Sequence, residues 1–331
     1  MKNLLRLLGI VKPHRVGLAL GSGGAKGIAH IAVIDHLESL GIPVDCIAGS
    51  SIGAMVGAIY AAGGMTRLKE DLRRITTREL LTYFDPVFPR SGLIEGRRLK
   101  EYLALYIPRG MKIEDLPIPL GIAATDLFTG TPVVFRSGSI VDAVRASISI
   151  PGVFEPVSFN DTVLVDGGVA NPLPIDIVKG MGASLVVAVN LHPSLKEGLL
   201  KRKPRRAGYP ELNSGDIVPA KKQADLSGLL AEKASGWKWL KSVDQWIGGT
   251  EKRRDAGLPN IFEVLAQSID IMELVNTRSM IAYHPPTVLI EPDVVDVPTL
   301  DFKRAGAIME KGAAAAQAAT AALTRKVKNR L

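Results

Sequence analysis

An α/β fold built around a parallel sheet is the architecture that this sequence predicts, because its N-terminal part alternates strand signals with helix signals. Val16–Leu20 is a short apolar run that ends at a glycine cluster, which is typical of a buried strand. Gly27–Leu40 follows with isoleucines three residues apart, which indicates a helix with one buried stripe, and Gly41 ends it. Val44–Ala48 and Ser51–Ala62 repeat the strand and the helix. Two successive strand–helix units predict a parallel sheet.

The rest of the chain continues this pattern of short apolar strands and helices. Residues 66–119 indicate helices separated by proline-containing loops, and we find no internal repeat. The predicted later strands are Leu120–Ala124, Val133–Phe135, Thr162–Val165, Leu185–Val189 and Thr287–Ile290, and the predicted later helices are Ile140–Ser147 and Ala305–Lys328.

The composition indicates one large globular domain. The chain has 331 residues, of which 47% are hydrophobic and 22% are charged, as in ordinary globular proteins. We assign the domain to residues 15–325, with residues 1–14 as an N-terminal extension. Cys46 is the one cysteine, which excludes an intrachain disulfide. We predict neither a signal peptide nor a membrane-spanning helix, and we expect a cytoplasmic protein.

The formal net charge of +8 indicates an anionic partner, either nucleic acid or an anionic membrane surface. A basic segment at about residues 193–260 also contains Trp237, Trp239 and Trp246, and we interpret it as an insertion outside the core sheet. Basic residues with tryptophans favour contact with lipid head groups, and a solvated loop is an equal alternative. Met1–Val11 is a second candidate for peripheral contact with the inner membrane. The basic segment contains no nucleic-acid-binding motif, so we expect no nucleic-acid partner.

A glycine-serine segment follows the second predicted strand. Gly49-Ser50-Ser51-Ile52-Gly53 matches the pattern G-x-S-x-G, in which a serine lies at a tight turn between a strand and a helix. The flanking glycines are needed because side chains there would collide with the turn. The positive end of the following helix stabilises an oxyanion beside the serine. The segment predicts Ser51 as a nucleophile, and a turn in which Ser51 only caps the helix is the alternative.

A second glycine-rich segment, residues 21–27, joins the first predicted strand to the first predicted helix. It starts like a dinucleotide-binding loop, but Lys26 stands where the third glycine is required and no Walker pattern is present, which disfavours nucleotide binding. Consecutive glycines also let backbone amides converge on an oxyanion, and Gly23 and Gly24 are the best donors. Lys26 either holds this loop or faces anionic head groups, and a flexible loop with a solvated lysine is a further alternative.

Asp166 is the carboxylate with the most distinctive position. It follows an apolar strand and precedes Gly167 and Gly168, so it lies at the carboxyl end of a strand, where α/β sites gather. A partly desolvated carboxylate can take the proton of a serine directly, and a structural aspartate in a turn is an equal alternative. Among the histidines, His192 follows a strand end and has the one position that suits a triad. The others are His14, His30, His36 and His284.

Five ordered blocks of the sequence together resemble the patatin-like phospholipases, and most closely the bacterial branch related to neuropathy target esterase. The resemblance covers about residues 15–325 and implies a three-layer α/β sandwich with a central, mostly parallel sheet. The blocks are GLALGSGGAKGIAHIAVI from Gly17, AGSSIGAMVGA from Ala48, AVRASISIPGVFEPV from Ala143, LVDGGVANPLP from Leu164 and TLDFKRA from Thr299.

The resemblance also implies residue roles. It makes Ser51 and Asp166 a catalytic dyad and assigns oxyanion and substrate binding to the loop formed by Gly23, Gly24, Ala25 and Lys26. It implies no metal and no cofactor. The chain departs from the family pattern at Ser22, where many members have glycine, and at Lys26, where arginine is frequent and would supply a bidentate fork. The motif glycines of the family correspond to Gly49, Gly53, Gly167 and Gly168.

These features together predict a serine lipid acyl hydrolase that works through an acyl-enzyme. The expected substrates are phospholipids, lysophospholipids or other fatty acyl esters. The alternative from a different class is a regulatory or adaptor protein on the same scaffold with little turnover, because a fold alone does not establish an activity.

Overall fold

A mixed sheet of eight strands lies at the centre of the computed structural model, which describes residues 14–74, 96–194 and 261–331. The strand order is β5-β6-β3-β2-β1-β7-β8, and β4 pairs with β3. The first three strands, β7 and β8 run parallel, whereas β4, β5 and β6 pair antiparallel with their neighbours. The strands are β1 (Val16–Leu20), β2 (Cys46–Ser50), β3 (Leu120–Asp126), β4 (Pro132–Phe135), β5 (Val157–Phe159), β6 (Thr162–Asp166), β7 (Leu185–Val189) and β8 (Val288–Ile290).

Helices cover both faces of this sheet. Alternate side chains of β1 belong to different clusters: Leu18 packs with the cluster of α1, α2 and α8, and Ala19 packs with that of α6 and α7. Two helical layers around one sheet confirm the predicted three-layer α/β fold with a mostly parallel sheet. The helices are α1 (Ala29–Ser39), α2 (Ile52–Ala61), α3 (Met65–Arg74), α4 (Arg97–Leu103), α5 (Ile140–Ser147), α6 (Ile175–Gly180), α7 (Ile261–Tyr283), α8 (Ala305–Ala318) and α9 (Thr320–Lys326).

The observed elements differ from the predicted ones in a few places. The predicted bounds of β1, α5 and β7 agree with the structure, but β2 is shifted two residues towards Ser51 and extends to Ser50. The single predicted C-terminal helix is two helices, α8 and α9, which are separated at Ala319. The short elements β5 and α6 and the long helix α7 were not predicted.

The chain divides into one unit of residues 1–195 with 267–331 and a second unit of residues 196–266. The sheet and the site described below belong to the first unit. Most of the predicted basic insertion and nearly all of the N-terminal extension lie outside the described residues, so those boundaries stay predictions. Among the residues that the structure describes, no helix has both the length and the apolarity to cross a membrane.

Candidate active site

Ser51 lies in a strained turn between β2 and α2. Its φ of 54° and ψ of −122° fall outside the regions that side chains ordinarily allow. The turn is held because the Ser51 amide donates to Ser147 Oγ at 2.9 Å, and this hydroxyl donates in turn to the Ala123 carbonyl. The Ser51 side chain makes no capping bond to α2. Its hydroxyl is therefore left for another partner.

The motif glycines allow the turn and the glycine loop to come together. A Cβ on Gly49 would lie 2.4 Å from the Ala54 amide nitrogen, within the turn itself. A Cβ on Gly53 would lie 2.2 Å from the Leu20 carbonyl oxygen, at the start of the glycine loop. Such distances are shorter than any real Cβ contact. The two glycine-rich segments therefore interlock, and a methyl group at Gly53 would force them apart.

Sheet pairing brings Asp166 to the serine although the two residues are far apart in the chain. Ser50 at the end of β2 pairs with Ala123, and Asp166 at the end of β6 pairs with Ala124. β2 and β6 run in opposite directions, so their ends meet at adjacent residues of β3. Ser51 Oγ donates to Asp166 Oδ2 at 2.5 Å, and both side chains are buried. The two residues that the sequence singled out are thus directly bonded.

The environment makes Asp166 a base near neutral pH. Burial, and after it the nearby Glu273 carboxylate, raises the pKa of Asp166 to about 7. The Ser51 hydroxyl and the Gly168 amide, which donates to Asp166 Oδ1 at 2.7 Å, act in the opposite direction. Gly167 has no room for a side chain, because a Cβ there would lie 2.3 Å from the Ala123 carbonyl oxygen.

No histidine bonds to Ser51. His192, the one candidate for a triad, has Nε2 2.9 Å from Glu273 Oε2 instead. His14 and His36 contact Ser184 and Thr320 at the periphery. The structure therefore offers Asp166 alone as the partner of the serine hydroxyl within the described residues.

Two amides of the glycine loop are available for an oxyanion. Gly23 and Gly24 have positive φ angles of 148° and 57°, which favour glycine, and within the described residues their amides have no partner. The neighbouring amides are used inside the fold at 2.7–3.3 Å: those of Gly21, Ser22, Ala25 and Lys26 donate to the carbonyls of Val189, Pro172, Thr299 and Gly23. The Ala25 amide is thus not free to bind a substrate.

The loop is anchored by its neighbours. Buried His30 of α1 donates from Nε2 to the Gly21 carbonyl at 2.8 Å. Burial lowers the pKa of His30 to about 4 against the effect of that bond, so its ring is neutral at neutral pH. The Lys26 ammonium lies 3.7 Å from Asp270 Oδ1, and its side chain is 7% exposed. This contact favours the alternative in which Lys26 holds the loop.

His192, Asp270 and Glu273 form a cluster beside the dyad that sequence reasoning missed. Their ligand atoms lie within 4.8 Å of one another, a spacing that a metal ion can use. The Lys26 ammonium already supplies a cation beside Asp270, however, so the donor set does not call for a metal. Glu273 lies in α7, and a glutamate within a helix gives no signal of function in the sequence.

An apolar pocket opens at the nucleophile. Ser51 lines it together with Gly24 of the glycine loop. Its other walls come from helices and loops on one face of the sheet: Ile28, Ile31, Ile52, Met55, Val56, Leu68, Leu72, Leu99, Tyr102, Ile148, Ile150, Phe154, Leu300 and Phe302. A lining of this kind accommodates a hydrocarbon chain and excludes ions.

Comparisons with known proteins find similar sequences and structures. The sequence model of the patatin-like phospholipases matches residues 18–179. An uncharacterized NTE family protein of Mycobacterium tuberculosis is 34% identical over 94% of this chain and 92% of its own length. Human patatin-like phospholipase domain-containing protein 6 is 27% identical over 93% of this chain but only 20% of its own length.

Among solved structures, the chain is similar to VipD from Legionella pneumophila, with 15% identity over 93% of this chain and 67% of that chain. The TM-score of this match is 0.43. The mycobacterial relative, in contrast, matches nearly end to end at 34% identity. The chain therefore belongs to the patatin-like phospholipase family, in the branch of the NTE-related proteins.

Proposed function

We propose that this protein hydrolyses fatty acyl esters of lipids, with Ser51 as nucleophile and Asp166 as its only catalytic partner. Membership of the patatin-like phospholipase family supports a lipid hydrolase in general terms. The observation that carries the finer proposal is the 2.5 Å hydrogen bond from Ser51 Oγ to Asp166 Oδ2. Hydrogen-bond contact between a nucleophile and a base is the geometric requirement for this chemistry.

In the acylation step, Asp166 accepts the Ser51 proton while Oγ attacks the ester carbonyl carbon. A carboxylic acid with a pKa of about 7 holds and releases a proton efficiently near neutral pH. The Gly23 and Gly24 amides donate to the oxyanion, and α2 directs its positive end towards it. The alcohol or lysolipid leaves with the proton from Asp166, and the acyl group stays on Ser51.

In the deacylation step, water attacks the acyl carbon and gives its proton to Asp166. The tetrahedral intermediate collapses, the proton returns to Ser51 Oγ, and the fatty acid leaves. Every proton in this sequence moves between Ser51, Asp166, water and substrate. We therefore propose neither a metal nor a cofactor.

The pocket supports a substrate with an apolar acyl group. Its walls are mainly apolar side chains, and Ser51 and Gly24 of the proposed machinery also line it. Such a division places a hydrocarbon chain in the pocket and its ester carbonyl at the nucleophile. We propose phospholipids, lysophospholipids or other fatty acyl esters as substrates.

Peripheral contact with a membrane is part of the proposal. Leu127 and Phe128, 53% and 71% exposed, follow β3 beyond the residues that pair with Ser50 and Asp166. Phe159, 45% exposed, ends β5 at the turn into β6. Both turns lie beyond the end of the sheet at which the nucleophile stands. We propose a cytoplasmic protein that touches the inner membrane with this end.

The test is ester hydrolysis by the purified protein against a panel of phospholipids, lysophospholipids and fatty acyl esters. Ser51→Ala and Asp166→Asn are each expected to lower kcat by at least about a thousandfold, because each removes one half of the dyad. His192→Ala is the control and is expected to retain measurable turnover. Full activity of Asp166→Asn together with loss in His192→Ala would contradict the dyad. A wild type that fluorophosphonate does not label at Ser51 would favour the non-enzymatic scaffold.

A further inference from the structure

A second buried carboxylate, that of Glu273, lies beside the dyad and has no step in the mechanism. Its side chain contacts the backbone that follows Asp166. The position of a Cβ on Gly168 would be 2.1 Å from Glu273 Oε1 and 3.0 Å from Asp166 Oδ1. The two carboxylate oxygens are therefore no more than about 5 Å apart. Both residues are less than a tenth exposed, at 6% and 4%, so little water separates the two groups.

The surroundings of Glu273 keep it ionised. Burial alone would raise its pKa, but the His192 ring, the Ser22 hydroxyl and the Lys26 ammonium outweigh burial and leave the pKa lowered. His192 comes from the segment after β7, and Lys26 and Ser22 come from the glycine loop. Among the residues that the structure describes, Asp166 of β6 and Asp270, one turn earlier on α7, are the other titratable groups around it.

The same cluster supports the oxyanion loop. A Cβ on Gly23 would lie 3.2 Å from His192 Nε2 and 3.1 Å from Leu191 Cβ, so the His192 ring packs directly against this glycine. The Glu273–His192 pair therefore contacts both halves of the proposed machinery, the base through Gly168 and the oxyanion donors through Gly23.

We propose that Glu273, held by His192, is a positioning residue that strengthens Asp166 as a base by facing it with a second buried negative charge. This inference rests on the proposed function. Two carboxylates that share a buried site favour keeping a proton on one of them, and here the contact with His192 and the nearby charge of Lys26 stabilise the charge of Glu273. Asp166, the carboxylate bonded to the nucleophile, is therefore the one that binds the proton more tightly.

The experiment is the pH dependence of Ser51 labelling by a fluorophosphonate, with the labelled residue identified by mass spectrometry. The labelling rate is proportional to the fraction of enzyme in which Asp166 is ionised. It therefore rises with pH on the acidic side of the profile and then reaches a plateau, and this rise is the acidic limb. In Glu273→Gln the midpoint of this limb is expected about one pH unit lower than in the wild type, because a like charge is removed from a buried neighbour. The plateau rate is expected to fall, since Asp166 becomes a weaker base.

Matched variants separate this effect from general damage. Glu291→Gln makes the same chemical change at an exposed carboxylate that accepts from Asn190 at 2.7 Å. The midpoint of the acidic limb of Glu291→Gln is expected to equal that of the wild type. Glu273→Asp retains the charge and is expected to restore the midpoint towards the wild type. A purely structural role for Glu273 would lower the plateau rate without moving the midpoint.

Each result decides the proposal. Coincident midpoints in the wild type and Glu273→Gln overturn it while leaving the dyad intact. A wild type without labelling at Ser51 overturns the proposed function and this inference with it. Where Glu273→Gln fails to fold, His192→Gln gives the second measurement. Loss of the imidazole removes the main group that keeps buried Glu273 ionised, so the midpoint is expected to move to lower pH, as in Glu273→Gln, and an unchanged midpoint would refute the proposal.

Discussion

At the scale of single residues, the raised pKa of Asp166 makes it a base near neutral pH and also lowers the stability of the fold when the carboxyl is ionised. Its pKa is raised from 3.8 to about 7 by burial and by Glu273. A carboxyl group whose pKa is raised on folding favours the folded state below its unfolded pKa, and this contribution is lost as the pH rises through the folded pKa. Ionised Asp166 therefore destabilises the fold above about pH 7, in the pH range where it can accept the Ser51 proton.

Asp166→Asn is consequently expected to stabilise the protein at pH 8. The shift of about three pKa units corresponds to roughly 4 kcal/mol, which is the largest gain in unfolding free energy expected at that pH. The gain should shrink as the pH falls and vanish below about pH 3, where the wild-type carboxyl is protonated in both states. Urea unfolding at several pH values measures this difference.

The control for this prediction is Asp161→Asn, at an exposed position in the turn before β6. It should change the unfolding free energy little at any pH. An Asp166→Asn variant that is less stable than the wild type at pH 8 would show that the Asp166 carboxylate does not destabilise the fold when it is ionised.

Sequence alone predicts residues that carry a local pattern and misses those that act through space. Ser51 and Asp166 stand beside glycines at strand ends, so the sequence indicates them. Glu273 lies on a long helix, and its importance comes from contacts with Gly168 and His192 that only the folded chain makes. Ser147, whose hydroxyl accepts from the Ser51 amide, lies in the block AVRASISIPGVFEPV, but nothing in the sequence indicates that hydrogen bond.

At the scale of elements, the contact between the Ser51 turn, residues 49–53, and the glycine loop, residues 21–27, leaves the least room for an added side chain. Gly53→Ala is expected to destabilise the protein by about 1–3 kcal/mol, because its methyl group would overlap the Leu20 carbonyl. Hydrolysis should fall at least about tenfold, since the oxyanion amides would move from Ser51. Thermal unfolding and ester turnover measure the two effects.

Gly306→Ala, in α8, is the matched control for Gly53→Ala. A Cβ there meets nothing within 4 Å, and alanine favours a helix over glycine by about 1 kcal/mol. Its stability should be equal or higher and its turnover unchanged. Normal activity in Gly53→Ala would show that the two glycine segments need not touch.

Helices and strands are predictable from the sequence where their apolar residues recur regularly and where glycine, serine or proline marks their ends. The bounds of β1 and α5 follow from apolar runs next to glycine, serine or proline. β5 has only three residues, too few to show alternation, and exists because it pairs with β6. The break at Ala319 lies within an alanine-rich run, where no residue type marks the end of a helix.

At the scale of the whole molecule, the exposed apolar turns and the basic segment are separate candidates for membrane contact. Leu127→Ser/Phe128→Ser is expected to reduce co-sedimentation with vesicles of anionic phospholipid several-fold, because large apolar side chains favour insertion at the interface. Deletion of residues 195–255 tests the basic segment in the same assay. The exposed Tyr283→Ser, on α7, is the control.

Unchanged sedimentation of the Leu127/Phe128 variant would exclude the turns as the contact, and unchanged sedimentation of the deletion variant would exclude the basic segment. Raised salt distinguishes the two surfaces further. Binding through basic residues weakens as the salt concentration increases, whereas binding through apolar side chains persists.

The meeting of β2 and β6 at adjacent residues of β3 has a consequence for biosynthesis. Ser51 is synthesised 115 residues before Asp166, and the Thr299 carbonyl that anchors the glycine loop through Ala25 comes later still. A growing chain on the ribosome thus contains the nucleophile without its base and without a fixed oxyanion loop. The proposed lipid hydrolysis would therefore begin only after the chain has been made and folded at least as far as Thr299.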